Sequence, residues 1–236
     1  MASRLSGSAA GLVSLSAPFR HFIKQSIRRP THQVEIQLEE HLNSIGVPVE
    51  LIRERNISQH RREAKGMTVT TNLLARAHVC LKRITSIEVY RVSTRSREKS
   101  TVLDEITYIT DLEPGVTLTR IPVLTNAVLT EREDSPAAFY WSGFEWGKLP
   151  LLAHCLEVDK DLNRRLLHHF STDTPGDLRI TALPDNKVGI TTSYDPQYLP
   201  SRGFLSCLEQ IADHINRYAV EQNRTRDAFT SRWQPG

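Results

Sequence analysis

The chain has 236 residues, of which 39% are hydrophobic, 24% are charged and 7% are aromatic, and its formal net charge is +3. This composition is typical of a globular protein and excludes the collagen-like, wholly disordered and disulfide-scaffold classes. Because no run of about 18 apolar residues is present, the sequence predicts no membrane-spanning helix.

The charge is unevenly distributed along the chain. Residues 1–100 carry 17 Lys and Arg against 8 Asp and Glu, whereas residues 101–236 carry 13 against 19. A basic first half predicts an anionic partner, either lipid headgroups or a nucleoprotein. The alternative is that the two halves attract each other, or adjacent copies of the chain in a homo-oligomer.

The N-terminal segment, residues 1–34, contains no acidic residue. Residues 2–17 are rich in Ser, Ala and Gly and are expected to be disordered. Residues 18–29 predict an amphipathic helix with Pro18 in its first turn, ended by Pro30. Its expected anchoring side chains are Phe19, Phe22, Ile23 and Ile27. Its expected anion-binding side chains are Arg20, Lys24, Arg28 and Arg29.

Three interpretations of this segment remain open. An interfacial helix would place its apolar face in lipid and its cations among headgroups. A mitochondrial transit peptide is also amphipathic, basic and poor in acids. A surface helix docked on the protein's own core would explain the same pattern without any partner.

A sheet is predicted in the middle of the chain, after a helix over 33–45 that ends at Gly46-Val47-Pro48. Residues 52–66 are densely charged and are expected to be a solvated helix or a linker. The segments rich in Thr, Val and Ile that follow predict strands at 67–74, 76–83, 85–92, 102–112 and 116–129.

A basic loop separates two of these strands, over residues 94–101. Its Ser and Thr residues are interleaved with cations that could contact phosphate groups, and phosphorylation there would reverse the local charge. A solvated hairpin tip would look the same in sequence. The candidate anion-binding residues here are Arg91, Arg95, Arg97 and Lys99.

An aromatic stretch at 139–146, FYWSGFEW, predicts a tight hairpin that turns at Ser142-Gly143. Trp141, Phe144 and Trp146 are candidate partner contacts, because aromatic side chains suit boundaries between apolar and wet surroundings. Packing of the same rings on the protein's own core is the alternative.

The last third predicts an α-β-β-α unit. Residues 159–170 have helical periodicity, with Asp159 or Asp161 as the expected cap. Strands at 178–183 and 187–193 flank a Pro184-Asp185-Asn186 turn. A long helix follows over about 202–222, with an apolar stripe that begins at Phe204.

No catalytic motif is visible. The acids between 104 and 134 could in principle supply a general acid and base for a hydrolase or transferase. His154, Cys155, His168 and His169 lack metal-ligand spacing, so no metal or cofactor is expected. Three widely spaced cysteines without a CxxC pair predict reduced thiols in an intracellular reducing compartment.

These observations predict an α+β fold with a central, mostly antiparallel sheet. The expected segments are the basic N-terminal segment 1–34, a helix-plus-sheet body 35–150 and the α-β-β-α unit 151–236. The preferred function is a non-enzymatic interaction protein with a matrix-like or assembly role, which docks its basic half on a membrane surface or nucleoprotein and binds protein partners. The alternatives are a mitochondrial matrix subunit with a cleaved transit peptide and the hydrolase or transferase above.

Overall fold

A computed structural model describes residues 31–52, 59–64, 67–97, 99–116, 125–132, 135–142, 151–170, 177–196 and 199–232. Within these ranges the chain is an α+β protein, as the sequence predicts, built on one antiparallel sheet with helices on one of its faces. The helix predicted over 18–29 lies outside the described residues.

The first helix is followed by seven consecutive strands, and two helices, two strands and a last helix complete the described chain. The helices are α1 (Thr31–Ser44), α2 (Leu151–Val158), α3 (Lys160–Phe170) and α4 (Arg202–Arg232). The strands are β1 (Val49–Leu51), β2 (Gln59–Ala64), β3 (Met67–Val79), β4 (Ile84–Arg95), β5 (Ser100–Asp111), β6 (Thr125–Arg132), β7 (Ser135–Ser142), β8 (Asp177–Leu183) and β9 (Lys187–Ser193).

The sheet has the strand order β1-β3-β4-β5-β9-β8-β6-β7, and β2 pairs with β3 beside β1. The β8–β9 hairpin is therefore inserted between β5 and β6. Strands on both sides of the expected boundary at residue 150 belong to this one sheet, because β9 pairs with β5 and β8 pairs with β6.

The sheet has one apolar and one polar face, because alternate residues of a strand point to opposite sides. Ile87, Tyr108, Ile190 and Ile180 lie opposite one another across four strands, and all four are buried. The adjacent register line is polar and carries Glu88, Thr107, Thr191 and Arg179. A helical layer that packs on the apolar face buries the most apolar surface and therefore stabilises the fold the most.

The helical layer completes the core on this face. Leu208, Ile211 and Ile215 of α4 are fully buried and belong to the same hydrophobic cluster as the apolar sheet residues. The ring of Phe204 meets that of Tyr108 edge to face, with centroids 6.1 Å apart. The apolar stripe predicted for the last helix is confirmed, although α4 extends ten residues beyond the expected end near 222.

Two local predictions in the first half differ from the structure. Part of the charged stretch 52–66 forms strand β2, which pairs with β3 from Gln59↔Asn72 to Ala64↔Met67, so neither a helix nor a linker describes it. The two strands expected at 67–74 and 76–83 are one strand, β3, with a register shift between Leu73 and Ala75. Strand pairing overrides the helical preference of charged residues in β2.

The turn between β8 and β9 matches its prediction. Asp185 and Asn186 have φ angles of 57° and 56°, and the Lys187 amide donates to the Pro184 carbonyl over 3.3 Å. Two consecutive positive φ angles define the hairpin turn type in which Asp and Asn are favoured.

Asp159 joins three helices at the back of the sheet. Its Oδ1 accepts the Leu162 amide at 3.0 Å, so Asp159, and not the other candidate Asp161, caps α3. Its Oδ2 accepts from Gln210 Nε2 at 2.6 Å and lies 2.8 Å from His214 Nε2, both on α4. Burial alone would raise the pKa of Asp159, but these hydrogen bonds outweigh burial, so the pKa lies below its usual value.

We expect Asp159→Asn to lower the free energy of unfolding by about 1–2 kcal/mol at pH 7, because the amide group that replaces one carboxylate oxygen cannot accept from both Gln210 and His214. Because the carboxyl pKa is lower in the folded chain, its contribution is present above the unfolded-state pKa and is lost as pH falls through the folded-state value. The difference between the two proteins should therefore shrink below about pH 4. Denaturant titrations at several pH values measure it.

Asp161→Asn is the matched control, because Asp161 is an exposed neighbour on the same helix that makes ion pairs with Arg164 and Arg165. Its effect at pH 7 should be the smaller of the two. Equal effects would contradict the role assigned to Asp159.

Candidate anionic-surface interface

Three central strands are longer than the helical layer that covers them. In β3 all buried residues lie between Leu73 and Val79, in β4 they lie between Ile84 and Val89, and in β5 they lie between Ile106 and Thr110. The remaining halves of these strands contain no buried residue. We call these halves, together with β2, the distal arm: residues 59–64, 67–72, 91–95 and 100–104.

Strand pairing defines the same boundary. The last register pair between β5 and β9 is Glu105↔Ser193, so β5 loses that neighbour where the distal arm begins. On the other side, β2 pairs only with the arm half of β3. A strand rises about 3.3 Å per residue, so the five to six residues of each arm strand extend roughly 15–20 Å beyond the core.

The free end of the distal arm is strongly basic. Arg62, Arg95, Arg97 and Lys99 are all exposed. The register places Arg95 opposite both Thr68 and Ser100, so the cations of the β4–β5 turn lie next to the start of β3. Sequence places further cations, Arg61 and Lys65, and two acids, Glu63 and Glu98, in these segments, which leaves an excess of positive charge.

A short turn between β4 and β5 carries Arg97 and Lys99, directly after Arg95 of β4. The Ser96 amide donates to the Lys99 carbonyl over 2.8 Å, and the Lys99 amide donates to Ser96 Oγ over 3.1 Å. The predicted loop over 94–101 is therefore shorter than expected, since Thr94, Arg95, Ser100 and Thr101 belong to strands. The turn fixes the spacing of the cations, so they meet a partner with little ordering cost.

Exposed apolar side chains accompany these cations. Met67, Val102 and Leu103 have 40%, 41% and 42% of their surface exposed. They account for three of the five exposed large apolar side chains among the described residues, and all three belong to the distal arm. Their exposure, like that of Arg62, was not predicted, because it depends on where the helical layer ends.

Arg91 has a different role from the cations at the tip. Its Nε and Nη2 donate to the two carboxylate oxygens of Asp104, each over 2.8 Å, which is a bidentate ion pair across β4 and β5. Hydrogen bonding to Asp104 raises the pKa of Arg91 further. Because its donors are engaged at the base of the distal arm, Arg91 is a stabilising residue of the arm rather than an open anion contact.

The polar face of the sheet continues this network towards the core. Arg76 Nε donates to Glu88 over 2.5 Å, and the Tyr90 hydroxyl also donates to Glu88. Burial, followed by the hydrogen bond to Glu88, raises the pKa of Tyr90. Arg179 donates to Glu105 over 2.8 Å. The polar groups at the root of the distal arm are thus paired within the protein, whereas the side chains of Arg95, Arg97 and Lys99 have no ion-pair partner within the described ranges.

The aromatic candidates divide between described and undescribed residues. Trp141 is 3% exposed, and its Nε1 donates to Asn163 Oδ1 over 2.7 Å. This placement agrees with the alternative in which the ring packs on the core. Strand β7 pairs with β6 up to Ser142, whereas Phe144 and Trp146 lie outside the described residues. The N-terminal candidates Phe19, Arg20, Phe22, Ile23, Lys24, Ile27, Arg28 and Arg29 also lie outside them.

The acids of β5 that were considered for catalysis are not gathered into a cleft, whereas Glu133 and Asp134 lie outside the described residues. Asp104 and Glu105 are neighbours on β5 and therefore point to opposite faces, where they pair with Arg91 and Arg179. Asp111 and Glu113 are exposed at the far end of β5. Across the described part of the chain, no group of three or more His, Cys, Asp and Glu residues is suited to hold a metal ion.

Comparison with known proteins identifies no relative. No protein-family model, no curated protein and no solved structure matches the chain. Among the described helices, none is both long and apolar enough to cross a membrane.

We expect Trp141→Phe to lower the free energy of unfolding by about 1–2 kcal/mol, because it leaves Asn163 without a buried donor. Asn163 also donates to the Leu156 carbonyl over 2.8 Å, so the change loosens the α2–α3 junction. Denaturant unfolding measures the loss. An unchanged midpoint, with unchanged slope, would show that the indole hydrogen bond contributes nothing.

Proposed function

We propose that this protein is a non-enzymatic interaction module that docks the free end of its distal arm onto an anionic membrane surface. The observation that carries the proposal is that an arm projecting beyond the core has exposed cations at its free end and exposed apolar side chains along its strands. The arm supplies the contact, and the helix-covered core holds it in position.

The apolar residues favour lipid over nucleic acid as the anionic partner. Phosphate groups of a nucleoprotein would be satisfied by cations and hydrogen-bond donors alone. Met67, Val102 and Leu103 add a second attraction in a bilayer, where apolar side chains beside cations enter the boundary between headgroups and acyl chains. Each Lys or Arg near an anionic leaflet contributes about 1 kcal/mol.

The acid-free segment 1–34 supplies a second contact in this proposal. An inserted amphipathic helix and a basic patch together hold a protein on an anionic membrane more strongly than either does alone, because apolar burial and electrostatic attraction both contribute. The amphipathic pattern of residues 18–29 fits the first of these, and the distal arm fits the second. Together they account for the basic first half of the chain.

Reversing the charge of the tip tests the electrostatic part. The variant Arg95→Glu, Arg97→Glu, Lys99→Glu should bind vesicles containing about 30% phosphatidylserine at least 100-fold more weakly, since about 1 kcal/mol is lost per cation and repulsion is added. Binding should also weaken with salt in the unmodified protein. Vesicle co-sedimentation measures both effects.

The matched control is Lys160→Glu, Lys187→Glu, Arg224→Glu, which changes the net charge equally at exposed positions outside the distal arm. Its binding should stay close to that of the unmodified protein. If both triple variants lose affinity to the same extent, the attraction is general and the proposal fails.

Replacing the apolar residues separates lipid from nucleic acid. The double variant Val102→Asn, Leu103→Asn should lose about tenfold in vesicle affinity, because two exposed apolar side chains no longer enter the bilayer boundary. Its affinity for single-stranded RNA, measured by fluorescence anisotropy, should be unchanged. A protein that binds RNA tightly and vesicles weakly, with no effect of these substitutions, would point to a nucleoprotein instead.

A further inference from the structure

A second candidate site lies on the helix-covered side of the sheet, away from its polar face. It is a groove of about 410 Å³ between the β3–β4 turn, α3 and one side of α4. Its α4 residues recur at helical spacing, and they include Ser206, Gln210, His214 and Arg217. This volume falls within the range of small-molecule sites. The distal arm contributes no lining residue.

The hydrogen-bond acceptors of the groove are largely engaged. Asp159 holds the Leu162 amide, Gln210 and His214. Asp213 accepts from Arg83 Nε over 2.5 Å. One oxygen of Glu209 accepts a hydrogen bond from the Arg83 backbone amide over 3.0 Å. Its second oxygen has no hydrogen-bond partner among the described residues.

The donors of the groove are less fully used. Lys82 has an exposed ammonium whose recorded contact is 3.9 Å to Asp213, an acid that Arg83 already holds. Arg217 lies one helical turn beyond Asp213 on α4, and its guanidinium has no recorded partner among the described residues. Ser206 likewise has no recorded hydrogen bond within those ranges.

The groove carries an excess of one positive charge. Its lining cations are Lys82, Arg165 and Arg217, with Arg83 beside them, and its acids are Asp159, Glu209 and Asp213. One positive charge is therefore left over, together with the unused N–H groups of Lys82 and Arg217. A ligand that supplies several acceptor oxygens and negative charge would complete this arrangement.

We infer that the groove binds a small phosphate-bearing ligand between Lys82 and Arg217. Arginine and lysine donors are the usual partners of phosphate oxygens, and a concave site favours a compact anion over the flat surface of a bilayer. The site is independent of the proposed docking surface, because the two share no residue. It adds a ligand to a protein whose membrane contact lies elsewhere.

Isothermal titration with pyrophosphate tests the inference on the full chain. The unmodified protein should bind pyrophosphate, and Lys82→Gln with Arg217→Gln should weaken binding at least about tenfold through the loss of two charge-assisted contacts. Lys187→Gln with Arg224→Gln makes the same change in charge at exposed sites outside the groove and should bind normally. Thermal unfolding of each variant without ligand confirms that it is folded.

Three results would overturn the inference. The first is no detectable binding to the unmodified protein. The second is an equal loss of pyrophosphate binding in the Lys187 and Arg224 control. A loss of this binding in the Arg95, Arg97 and Lys99 variant, while the Lys82 and Arg217 variant still binds, has the same meaning. The third is tighter binding of citrate than of pyrophosphate, which would assign the groove to carboxylates.

Discussion

The structure depends on a sheet that is buried along only part of its length. Strands β3, β4 and β5 share apolar register lines such as Ile87 and Tyr108, and α4 covers these lines from one side. Beyond Val89 and Ile106 the helical layer ends, but backbone pairing continues. An isolated hairpin would be only marginally stable in water, whereas this four-stranded arm is anchored by strands whose other halves lie in the core.

Two sets of polar contacts maintain this arrangement. At the base of the distal arm, the bidentate pair of Arg91 and Asp104 joins β4 to β5 where neither residue is fully buried. At the back of the sheet, Asp159 connects the start of α3 to α4, and Arg83 connects the β3–β4 turn to α4 through Asp213. The first set stabilises the arm, and the second keeps the helical layer in place against the sheet.

The sequence predicts the elements whose signals are local. The apolar period of α3 and the Asp185-Asn186 turn are present as expected, and Asp159, one of the two acids expected as the cap, caps the helix. These signals are local, because capping and turn chemistry act over a few residues. The α+β fold class is also confirmed. Strand β2 was missed, since its charged residues take strand geometry only through pairing with β3.

The candidate interface was predictable in part. Arg95, Arg97 and Lys99 were identified because they are adjacent in sequence, and the structure places them at an exposed turn. Arg91 belongs to the same run of residues, but its partner Asp104 lies 13 positions away on the next strand, so its pairing depends on register. The exposure of Val102 and Leu103 could not be predicted, because an apolar pair in a strand is typical of a buried position.

The central claim is that the free end of the distal arm contacts an anionic bilayer. Hydrogen–deuterium exchange of the unmodified protein, with and without phosphatidylserine vesicles, tests it most directly. The account predicts slower exchange of the backbone amides in a peptide spanning residues 92–103, with unchanged exchange around the β8–β9 turn at Asp185. Equal exchange at 92–103 with vesicle-bound and free protein would contradict it.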